Sequence, residues 1–453
     1  MDAIRRFADH VANHQFSDIP PEAIAAAKVF LLDTLGVGVA GSSGPFVPEL
    51  IDSQHLSAGG DQARVWVSGE RLSAAGAALC NSYQIHNSEF DCVHEAAVVH
   101  TMTVVSAAAL AYAERTGTVD GRSLLAALVL GVDVACHISV ASNAGLSFFR
   151  PGTAGAFAAT AALGKLQGFD ASTLVNAFGS TLSQLCGTMQ AHTEGSIALG
   201  MQIGFNARNA ILSADLAGHG LVAPQDVLEG PFGFYQLFEG SYDLEPVLAE
   251  LGKTWRICEV AHKPFPSGRA THGVIDAALE LQRDYGFEWG EVVSGEAKVP
   301  GLVHHLVGRP IGEDMELNYA RLCAQYTMAR ALITGGVAVT DFHPEAMRDP
   351  ETIELGQRIE ISIDDNPDPN ALTPVGLALT LNDGRTVRTD VEVVYGNPAR
   401  PMSREAQLAK LDANWNAAAR TLPEQQREAL VAAVDGLESI TDVTQLVDCV
   451  VAP

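Results

Sequence analysis

Long apolar stretches rich in alanine and glycine dominate the first half of this 453-residue sequence. Residues 19–41, IPPEAIAAAKVFLLDTLGVGVAG, open with two prolines and close in glycines, which is the pattern of a capped helix. Because apolar residues lie nearly all round such segments, each helix must be covered by neighbours on every side. The sequence therefore predicts a buried helical bundle, with similar segments at residues 73–86, 103–117, 123–145, 155–170 and 206–220.

The pattern changes near residue 290, where polar residues begin to alternate with β-branched ones. Residues 291–299, 358–365 and 377–396 read as strands, and Asn382-Asp383-Gly384 supplies the turn of a hairpin. Helical patterns return between these strands, at residues 317–342 and 343–359, and again after Pro401. We expect a mainly α protein with an α/β part, in which residues 1–266 together with 400–453 form a large all-helical domain and residues 267–399 form a smaller α+β domain.

The charge and cysteine content limit the partners of the chain. With 28 Lys and Arg against 54 Asp and Glu, the net charge is −26, which disfavours nucleic acid and anionic membranes as partners. An anionic small molecule would need a local cluster of cations. The seven cysteines form no CxxC pair, no signal peptide is visible, and no apolar run looks long enough to cross a bilayer. We therefore expect a soluble cytoplasmic protein that does not associate with membranes.

Residues 86–100, HNSEFDCVHEAAVVH, concentrate ionisable side chains in an apolar context. His94-Glu95 resembles the start of a zinc-binding HExxH motif, but position 98 is Val and the next histidine is His100. On a continuous helix, six residues at about 100° each place the two rings roughly 120° apart. We therefore expect no metal site here, because a metal would need a loop and ligands from elsewhere.

An acid/base site fits the same segment better. His86, Glu89, Asp91 and His94 lie where one predicted helix ends, and His100 opens the next. Polar groups between buried helices are costly unless they are hydrogen-bonded or functional. The structural alternative is a set of helix caps with one hydrogen-bonded core histidine.

Two groups of cations are candidates for binding an anion. Residues 261–273, AHKPFPSGRATHG, place Lys263 and Arg269 among prolines at the predicted domain boundary, where ligand clefts are common. Arg150 precedes Pro151 at a predicted helix start, where free backbone N–H groups favour a carboxylate. A solvated linker and a surface arginine over aromatic rings are the respective alternatives.

Two further motifs carry less information. Tyr326 is either a phenolic acid at the domain interface or a core residue. Gly36, Gly38 and Gly41 spell GxGxxG, but a helix precedes them where a dinucleotide site requires a strand, so they are interpreted as a helix end. The sequence contains no GxSxG motif and no P-loop, which disfavours covalent acyl transfer and phosphoryl transfer.

Several of these segments, in the same order along nearly the whole chain, resemble the MmgE/PrpD family. They are residues 23–41, 86–100, 148–157, 183–238, 263–273 and 320–326. The family includes 2-methylcitrate dehydratase, cis-aconitate decarboxylase and iminodisuccinate epimerase. The resemblance implies a helical domain, an α+β lid domain and a homodimer. It also implies chemistry without a cofactor on a small di- or tricarboxylate bound between the domains.

The resemblance assigns roles to particular residues. Glu89 and Asp91 fall in the family's acidic segment, His100 matches the histidine that ends it, Lys263 matches a KPYP lysine, and Tyr326 matches a tyrosine of the lid. The expected catalytic residues are His100, Asp91, Lys263 and Tyr326. The expected substrate-binding residues are Glu89, His94, Arg150, Gln202 and Arg269. The sequence departs from the family pattern at Thr101, often Pro, at Leu199, near the place of a second lysine, and at Arg150, where many members have His.

The three family reactions share one chemical problem, which is negative charge on a carbon next to a carboxylate. Such a carbanion requires cations and a positioned base. We expect Lys263 and Arg150 to hold carboxylates and His100, oriented by Asp91 or Glu89, to be the base. With Tyr326 or His94 protonating a departing hydroxyl, the reaction would be a dehydration. Epimerisation and decarboxylation are alternatives, and a non-catalytic carboxylate-binding protein is an alternative of another class.

Overall fold

Helices form most of the protein, as the apolar pattern predicts. The computed structural model describes residues 2–57, 59–368 and 370–453. Asp120 and Asp170 cap two of the helices by accepting N–H groups of their first turns. The helices of the first half are α1 Ile4–Asn13, α2 Pro21–Gly41, α3 Val47–Ser57, α4 Ala74–His86, α5 Thr101–Thr116, α6 Gly121–Val140, α7 Arg150–Leu166, α8 Ala171–Leu182, α9 Gln190–Glu194, α10 Ala198–Gly218 and α11 Glu245–Glu250.

The second half mixes helices with a sheet and ends in helices. Its helices are α12 His272–Tyr285, α13 Gly301–Val307, α14 Leu317–Arg321, α15 Ala324–Thr334, α16 Pro344–Met347, α17 Pro350–Gln357, α18 Arg404–Asn416, α19 Glu424–Asp435 and α20 Thr444–Val450. The strands of the whole chain are β1 Ala63–Arg64, β2 Arg71–Leu72, β3 Val93–His94, β4 Val260–Ala261, β5 Val292–Val299, β6 Ile359–Ile363, β7 Val375–Leu381 and β8 Thr386–Val391. Short 3₁₀ turns and one π-helical segment, Tyr235–Glu239, complete the described elements.

Four strands form a mixed sheet in the order β6-β5-β7-β8. β5 and β6 are parallel, whereas β5–β7 and β7–β8 are antiparallel, and the predicted Asn382–Gly384 turn joins β7 to β8. Every second residue of β7, from Val375 to Leu381, is buried, and a Cβ on Gly273 of α12 would lie 2.6 Å from a Val375 methyl group. The mainly α fold with an α/β part is thus confirmed.

The C-terminal helices pack on the N-terminal ones. Leu411 of α18 lies so close to Gly36 that a Cβ on the glycine would be 2.6 Å from a leucine methyl. Leu411, Leu430 and Leu446 belong to the same buried cluster as the apolar residues of α2, α5 and α6. The domain boundaries at residues 267 and 399 stay a prediction.

Two details of the sequence interpretation change. Gly36 and Gly38 lie inside α2, which ends only at Gly41, and they allow close packing, since a Cβ on Gly38 would meet the Trp66 ring at 2.5 Å. Residues 317–342 do not form one helix. They break at Leu322 and Cys323, because the Arg321 carbonyl accepts the N–H of Gly268 and Cys323 is extended.

The expectation that no apolar segment could cross a bilayer needs a correction. α2 and α6 are long and apolar enough by composition, with a mean hydropathy of 1.7 and 2.0 in their most apolar windows. Those windows are 72% and 89% buried inside the fold. Both helices therefore have the character of core helices, which pass the same test of length and composition.

Candidate active site

The acidic segment at residues 87–100 is a loop, and a short strand in it brings two distant parts of the chain together. α4 ends at His86, and α5 begins after His100, which occupies its N-cap position. Between them β3 pairs with β4 in antiparallel register, with Val93 opposite Ala261. This pairing places Lys263, two residues after β4, beside the carboxylates of the loop.

Asp91 is the centre of a buried polar cluster. Its Oδ2 lies 3.0 Å from His86 Nδ1 and accepts a hydrogen bond of 2.5 Å from the Thr103 hydroxyl. Its Oδ1 lies 3.2 Å from His100 Nδ1, at an angle too poor for a good hydrogen bond, and 3.7 Å from Lys263 Nζ. The Asp91 side chain is fully buried. One carboxylate thus lies beside three nitrogens that can carry positive charge.

Glu89 forms the second buried ion pair of the site. Lys263 Nζ donates to Glu89 Oε2 at 2.8 Å and to the Glu89 carbonyl at 3.2 Å. Burial alone would raise the pKa of Glu89, but Lys263 and the nearby histidines outweigh it and lower that pKa to about 2. Glu89 also has a φ of 52°, a left-handed conformation that is uncommon for a side chain of this size. A charged carboxylate is therefore held in a strained loop against the lysine.

The pKa values of the two histidines beside Asp91 are shifted in opposite directions. Burial opposes charge on His86, but Asp91 and Glu89 outweigh it and raise its pKa. Burial also opposes charge on His100, and with Lys263 adding repulsion the pKa of His100 is lowered despite Asp91. The neutral form is thus favoured more at His100 than at His86.

His100 and Glu89 face a small cavity of about 80 Å³. Arg269, Glu95 and His192 are its other ionisable lining residues within the described part of the chain. Burial lowers the pKa of His192 to about 4, so its ring is neutral near pH 7. The rest of the wall is mainly apolar and includes Leu146, Phe149, Leu199, Leu306, Leu322 and Leu372. The lining therefore combines a few ionisable side chains with a mainly apolar surface.

Three helices begin at this cavity. His100 caps α5, Phe149 caps α7, and Leu199 lies in the first turn of α10. Helix N-termini carry a partial positive charge and unpaired N–H groups, so each favours a negative group nearby. The cavity wall thus attracts a carboxylate in addition to any side-chain cation.

Some predicted substrate-binding residues lie elsewhere. Arg150 is fully buried, and its Nη2 donates to Glu239 Oε2 at 2.7 Å while its Nη1 donates to the Ala97 carbonyl at 3.3 Å. The Gln202 side chain accepts the Thr188 N–H at 2.6 Å and donates to the Thr188 carbonyl. The structure brings neither side chain to the cavity, because each already has partners from the chain.

The two predicted proton donors for a hydroxyl group are also engaged. The Tyr326 hydroxyl donates to the Asp341 carbonyl, and burial raises the pKa of the phenol. His94 Nε2 lies 2.8 Å from Glu259 Oε2, and its Nδ1 accepts the N–H of Ala97 at 3.1 Å. Tyr326 therefore lies within the packing around α15, and His94 holds the loop in shape.

Arg269 does line the cavity, but most of its donors are used. Its Nε donates to Glu95 Oε1 at 2.6 Å, and its Nη1 donates to the Tyr395 carbonyl at 2.8 Å. Its Nη2 donates to the Val394 carbonyl at 3.3 Å. The guanidinium thus joins the acidic loop to the chain that follows β8.

Most of the chain matches one protein family. Residues 5–247 match the MmgE/PrpD N-terminal domain, and residues 265–436 match the MmgE/PrpD C-terminal domain. The chain belongs to the MmgE/PrpD family. A cis-aconitate decarboxylase of Aspergillus terreus is 26% identical over 97% of this chain and 94% of its own length. The human and mouse cis-aconitate decarboxylases are 26% and 25% identical, over 99% and 97% of this chain and 94% and 91% of theirs.

This MmgE/PrpD protein has site residues that sequence reasoning did not select. His86 belonged to the predicted acid/base cluster, but it was not among the expected catalytic or substrate-binding residues. Glu95 and His192 line the cavity, and no spacing signal marked His192. Arg321 is buried without a carboxylate within 4 Å among the described residues, and burial lowers its pKa to about 10. It donates to the Asn87 carbonyl, at the start of the acidic loop.

The geometry of this MmgE/PrpD site also bears on whether it could bind a metal ion. His86, Asp91 and His100 offer ligand atoms within 4.8 Å of one another. The loop thus brings these side chains together, which a continuous helix would not do. However, Lys263 Nζ lies 3.7 Å from the same carboxylate, and the pKa of His86 is raised. Positive charge already beside Asp91 opposes a divalent cation there. The arrangement favours proton chemistry.

Proposed function

We propose that this MmgE/PrpD protein is a cofactor-independent lyase that decarboxylates a small polycarboxylate, with His100 transferring the proton. The observation that carries the proposal is the Asp91–His100 pair at a cavity whose lining is otherwise mainly apolar. A carboxylate loses CO2 more readily where water is excluded, because its charge is dispersed in the transition state. The names of the cis-aconitate decarboxylase relatives support the same reaction type.

The chemical step balances with one proton. The bond between carbon and CO2 breaks, its electron pair stays on the carbon and spreads into a conjugated carboxylate or double bond, and CO2 departs. The His100 imidazolium then gives its proton to that carbon and regains one from solvent. Asp91, 3.2 Å from Nδ1, stabilises the charged ring through its negative charge.

Two positively charged features near His100 can bind a carboxylate of the substrate. The N-terminus of α5 lies at His100, and Lys263 becomes available if a substrate carboxylate takes the place of Glu89. The exchange breaks the buried Lys263–Glu89 pair, so the substrate carboxylate has to bind Lys263 strongly enough to outweigh that loss. Lys263 is therefore proposed as a carboxylate-binding residue.

Dehydration, the reaction first expected from the sequence, is the second candidate. Tyr326 and His94 are engaged elsewhere, which removes the expected donors to a departing hydroxyl. The lowered pKa of His100 still supports this reaction, because the neutral ring can take a proton from carbon and return it to the hydroxyl as water leaves. Epimerisation would need a proton donor on the opposite face of that carbon.

Proton NMR in D2O with a panel of small polycarboxylates, including cis-aconitate and 2-methylcitrate, tests these proposals. We expect loss of CO2 and one deuterium in the product at the carbon that carried it. An alkene formed with water would instead establish the dehydratase, and deuterium with inverted configuration would establish an epimerase. Binding with neither product nor exchange would establish a non-catalytic carboxylate-binding protein.

Two variants and a metal assay sharpen this experiment. His100→Gln should abolish deuterium incorporation, whereas the exposed His343→Gln should behave as the unmodified protein. Full activity of the His100 variant would refute the role given to that ring. Activity that follows the content of a bound metal, and is lost in chelator, would refute the cofactor-independent proposal.

We also propose a homodimer, on the basis of one exposed face of α10. Phe205, Leu212 and Leu216 recur at helical spacing and are 36%, 47% and 38% exposed. A second copy of the chain would cover this apolar stripe. Light scattering should give twice the monomer mass, and Leu212→Glu should shift the protein toward the monomer; a monomeric unmodified protein would contradict the proposal.

A further inference from the structure

Arg321, the last residue of α14, is a buried cation without a counter-ion in contact. The residue is 5% exposed, and no Asp or Glu within the described ranges forms an ion pair with it. Burial lowers the pKa of Arg321 to about 10, so the guanidinium is still protonated near pH 7. A buried charge of this kind is costly to the fold, and such groups are concentrated at functional sites.

Two of the three guanidinium nitrogens have no acceptor in the part of the chain that the structure describes. Nη1 of Arg321 donates to the Asn87 carbonyl and lies 3.5 Å from Asn318 Oδ1. Nε is buried without a hydrogen-bond partner, and no described residue accepts from Nη2. The N–H groups of Nε and Nη2 point in parallel along one edge of a guanidinium, and such an edge fits the two oxygens of a carboxylate. The unused donors of Arg321 are therefore arranged for a carboxylate.

Three contacts connect Arg321 to the residues of the active-site cavity. Leu322, the next residue, lines the cavity, and the lining residue Gly268 donates its N–H to the Arg321 carbonyl at 3.1 Å. Asn87, which accepts from Nη1, lies two residues before Glu89 in the acidic loop. Burial lowers the pKa of Arg321, and Glu89 opposes that shift more than any other group does. Arg321 therefore belongs to the same site as the acidic loop.

Glu89 has another partner if a substrate carboxylate displaces it from Lys263. The second oxygen of Glu89, Oε1, lies 3.4 Å from His86 Nε2. The pKa of His86 is raised, because the nearby carboxylates outweigh its burial. A displaced Glu89 can thus pair with the His86 ring, and Arg321 remains available to the ligand.

From these contacts we infer that Arg321 binds a second carboxylate of the substrate through Nε and Nη2, while Lys263 and the start of α5 bind the first. The ring of Phe342, 5.4 Å from Arg321 Cζ, supports the guanidinium. Two separate cations select a di- or tricarboxylate, because a monocarboxylate would lack one of the two ion pairs. The inference rests on the proposed function and assigns a second carboxylate-binding residue to the same site.

Isothermal calorimetry near pH 7 with maleate, 2-methylmaleate and cis-aconitate tests the inference. Arg321→Met should raise the Kd of the acid that binds most tightly by about tenfold or more, because a charge-assisted bidentate contact is lost. Arg388→Met, at an exposed arginine, should leave that Kd unchanged. An unchanged Kd in the Arg321 variant would overturn the inference, as would the absence of binding of all three acids to the unmodified protein.

A second pair of variants distinguishes the ligand from Glu89 as the partner of Arg321. Glu89→Gln is compared with the double variant Glu89→Gln, Arg321→Met. If the ligand binds Arg321 directly, the second substitution should again raise Kd by about tenfold or more. If the two proteins have the same Kd, Arg321 acts only through Glu89 and the inference is wrong.

A structural role of Arg321 makes a different prediction. Arg321→Met would then lower Tm in the absence of ligand and bind the acid with the Kd of the unmodified protein, which would overturn the inference. Arg321→Lys keeps the charge but not the parallel donors, so it should also raise Kd. It provides the measurement if the methionine variant does not fold, and a Kd equal to that of the unmodified protein would contradict the bidentate contact.

These binding measurements are independent of turnover. If the Arg321 variants bind the acid weakly but the unmodified protein shows no His100-dependent proton transfer with any acid, the proposed function fails and the inferred contact stands. If Arg321→Met binds and turns over the acid as the unmodified protein does, the inferred contact fails and the proposed function stands.

Discussion

Asp91 Oδ1 lies 3.2 Å from His100 Nδ1, and the other oxygen of the same carboxylate lies 3.0 Å from His86 Nδ1. The carboxylate therefore bridges a ring whose pKa is raised and a ring whose pKa is lowered. Because the two rings share one counter-ion, a change of protonation at one is felt by the other.

Asp91→Asn should reduce kcat about 100-fold or more, since the amide no longer stabilises a charged His100. It should also lower stability by about 3 kcal/mol, because His86 and Lys263 lose a buried counter-ion. Steady-state kinetics and denaturant unfolding measure the two effects. A variant with normal kcat would show that Asp91 does not orient the catalytic ring.

The dependence of kcat on pH should show whether His100 acts in its protonated or its neutral state. Burial and Lys263 lower the pKa of His100 from 6.5, so the imidazolium becomes the main form only below pH 6.5. If His100 protonates the carbanion after CO2 loss, kcat rises as pH falls between about 8 and 5. If it is the base of a dehydration, kcat instead falls as pH drops below 6.5. A profile without a dependence on His100 would contradict both.

Glu89→Gln should make the protein less sensitive to acid. The pKa of Glu89 is about 2 when folded and 4.5 as a model value, so its stabilisation is complete above about pH 4.5 and is lost as pH falls toward 2. The lost contribution is on the order of 3 kcal/mol. Tm measured across that window should fall less steeply in the variant. The exposed Glu428→Gln serves as the control and should retain the steep fall.

Arg150→Met should destabilise the protein by about 3–5 kcal/mol, because it leaves Glu239 buried without its partner. Replacing both residues, Arg150→Met with Glu239→Leu, should recover most of that loss. Denaturant unfolding of the single and double variants tests this. If the single variant is fully stable but has lost affinity for substrate, Arg150 is a substrate ligand as the sequence first suggested.

Val98→Gly should relieve backbone strain. Val98 has a φ of 53°, which is an outlier for a β-branched residue, and its side chain lines the cavity. We expect a gain of about 1 kcal/mol in stability together with a higher KM, since the strain is removed along with part of the wall. Val99→Gly, at a buried neighbour without positive φ, should lower stability. A destabilised Val98 variant would show that its contacts outweigh the strain.

Local pattern decided much of the architecture. The apolar stretches of α2, α4, α5 and α6 form helices because their composition favours no other buried structure, and the Asn382–Gly384 turn closes a hairpin because its residues tolerate the turn. The same local reasoning located the polar segment between α4 and α5 and placed His100 at the start of a helix. These features depend on residues close together in sequence.

Pairing between distant residues was decided only by the tertiary structure. The sequence suggested that Arg150 was available for a ligand at a helix start, yet Arg150 forms an ion pair with Glu239, which is far along the chain. Lys263 lies near Asp91 because β3 pairs with β4. The apolar part of the cavity lining likewise includes Leu146, Leu199 and Leu372, which are far apart in sequence. The sequence determines the charge and chemistry of each side chain. Its partners and its exposure to water depend on which distant segments pack against it.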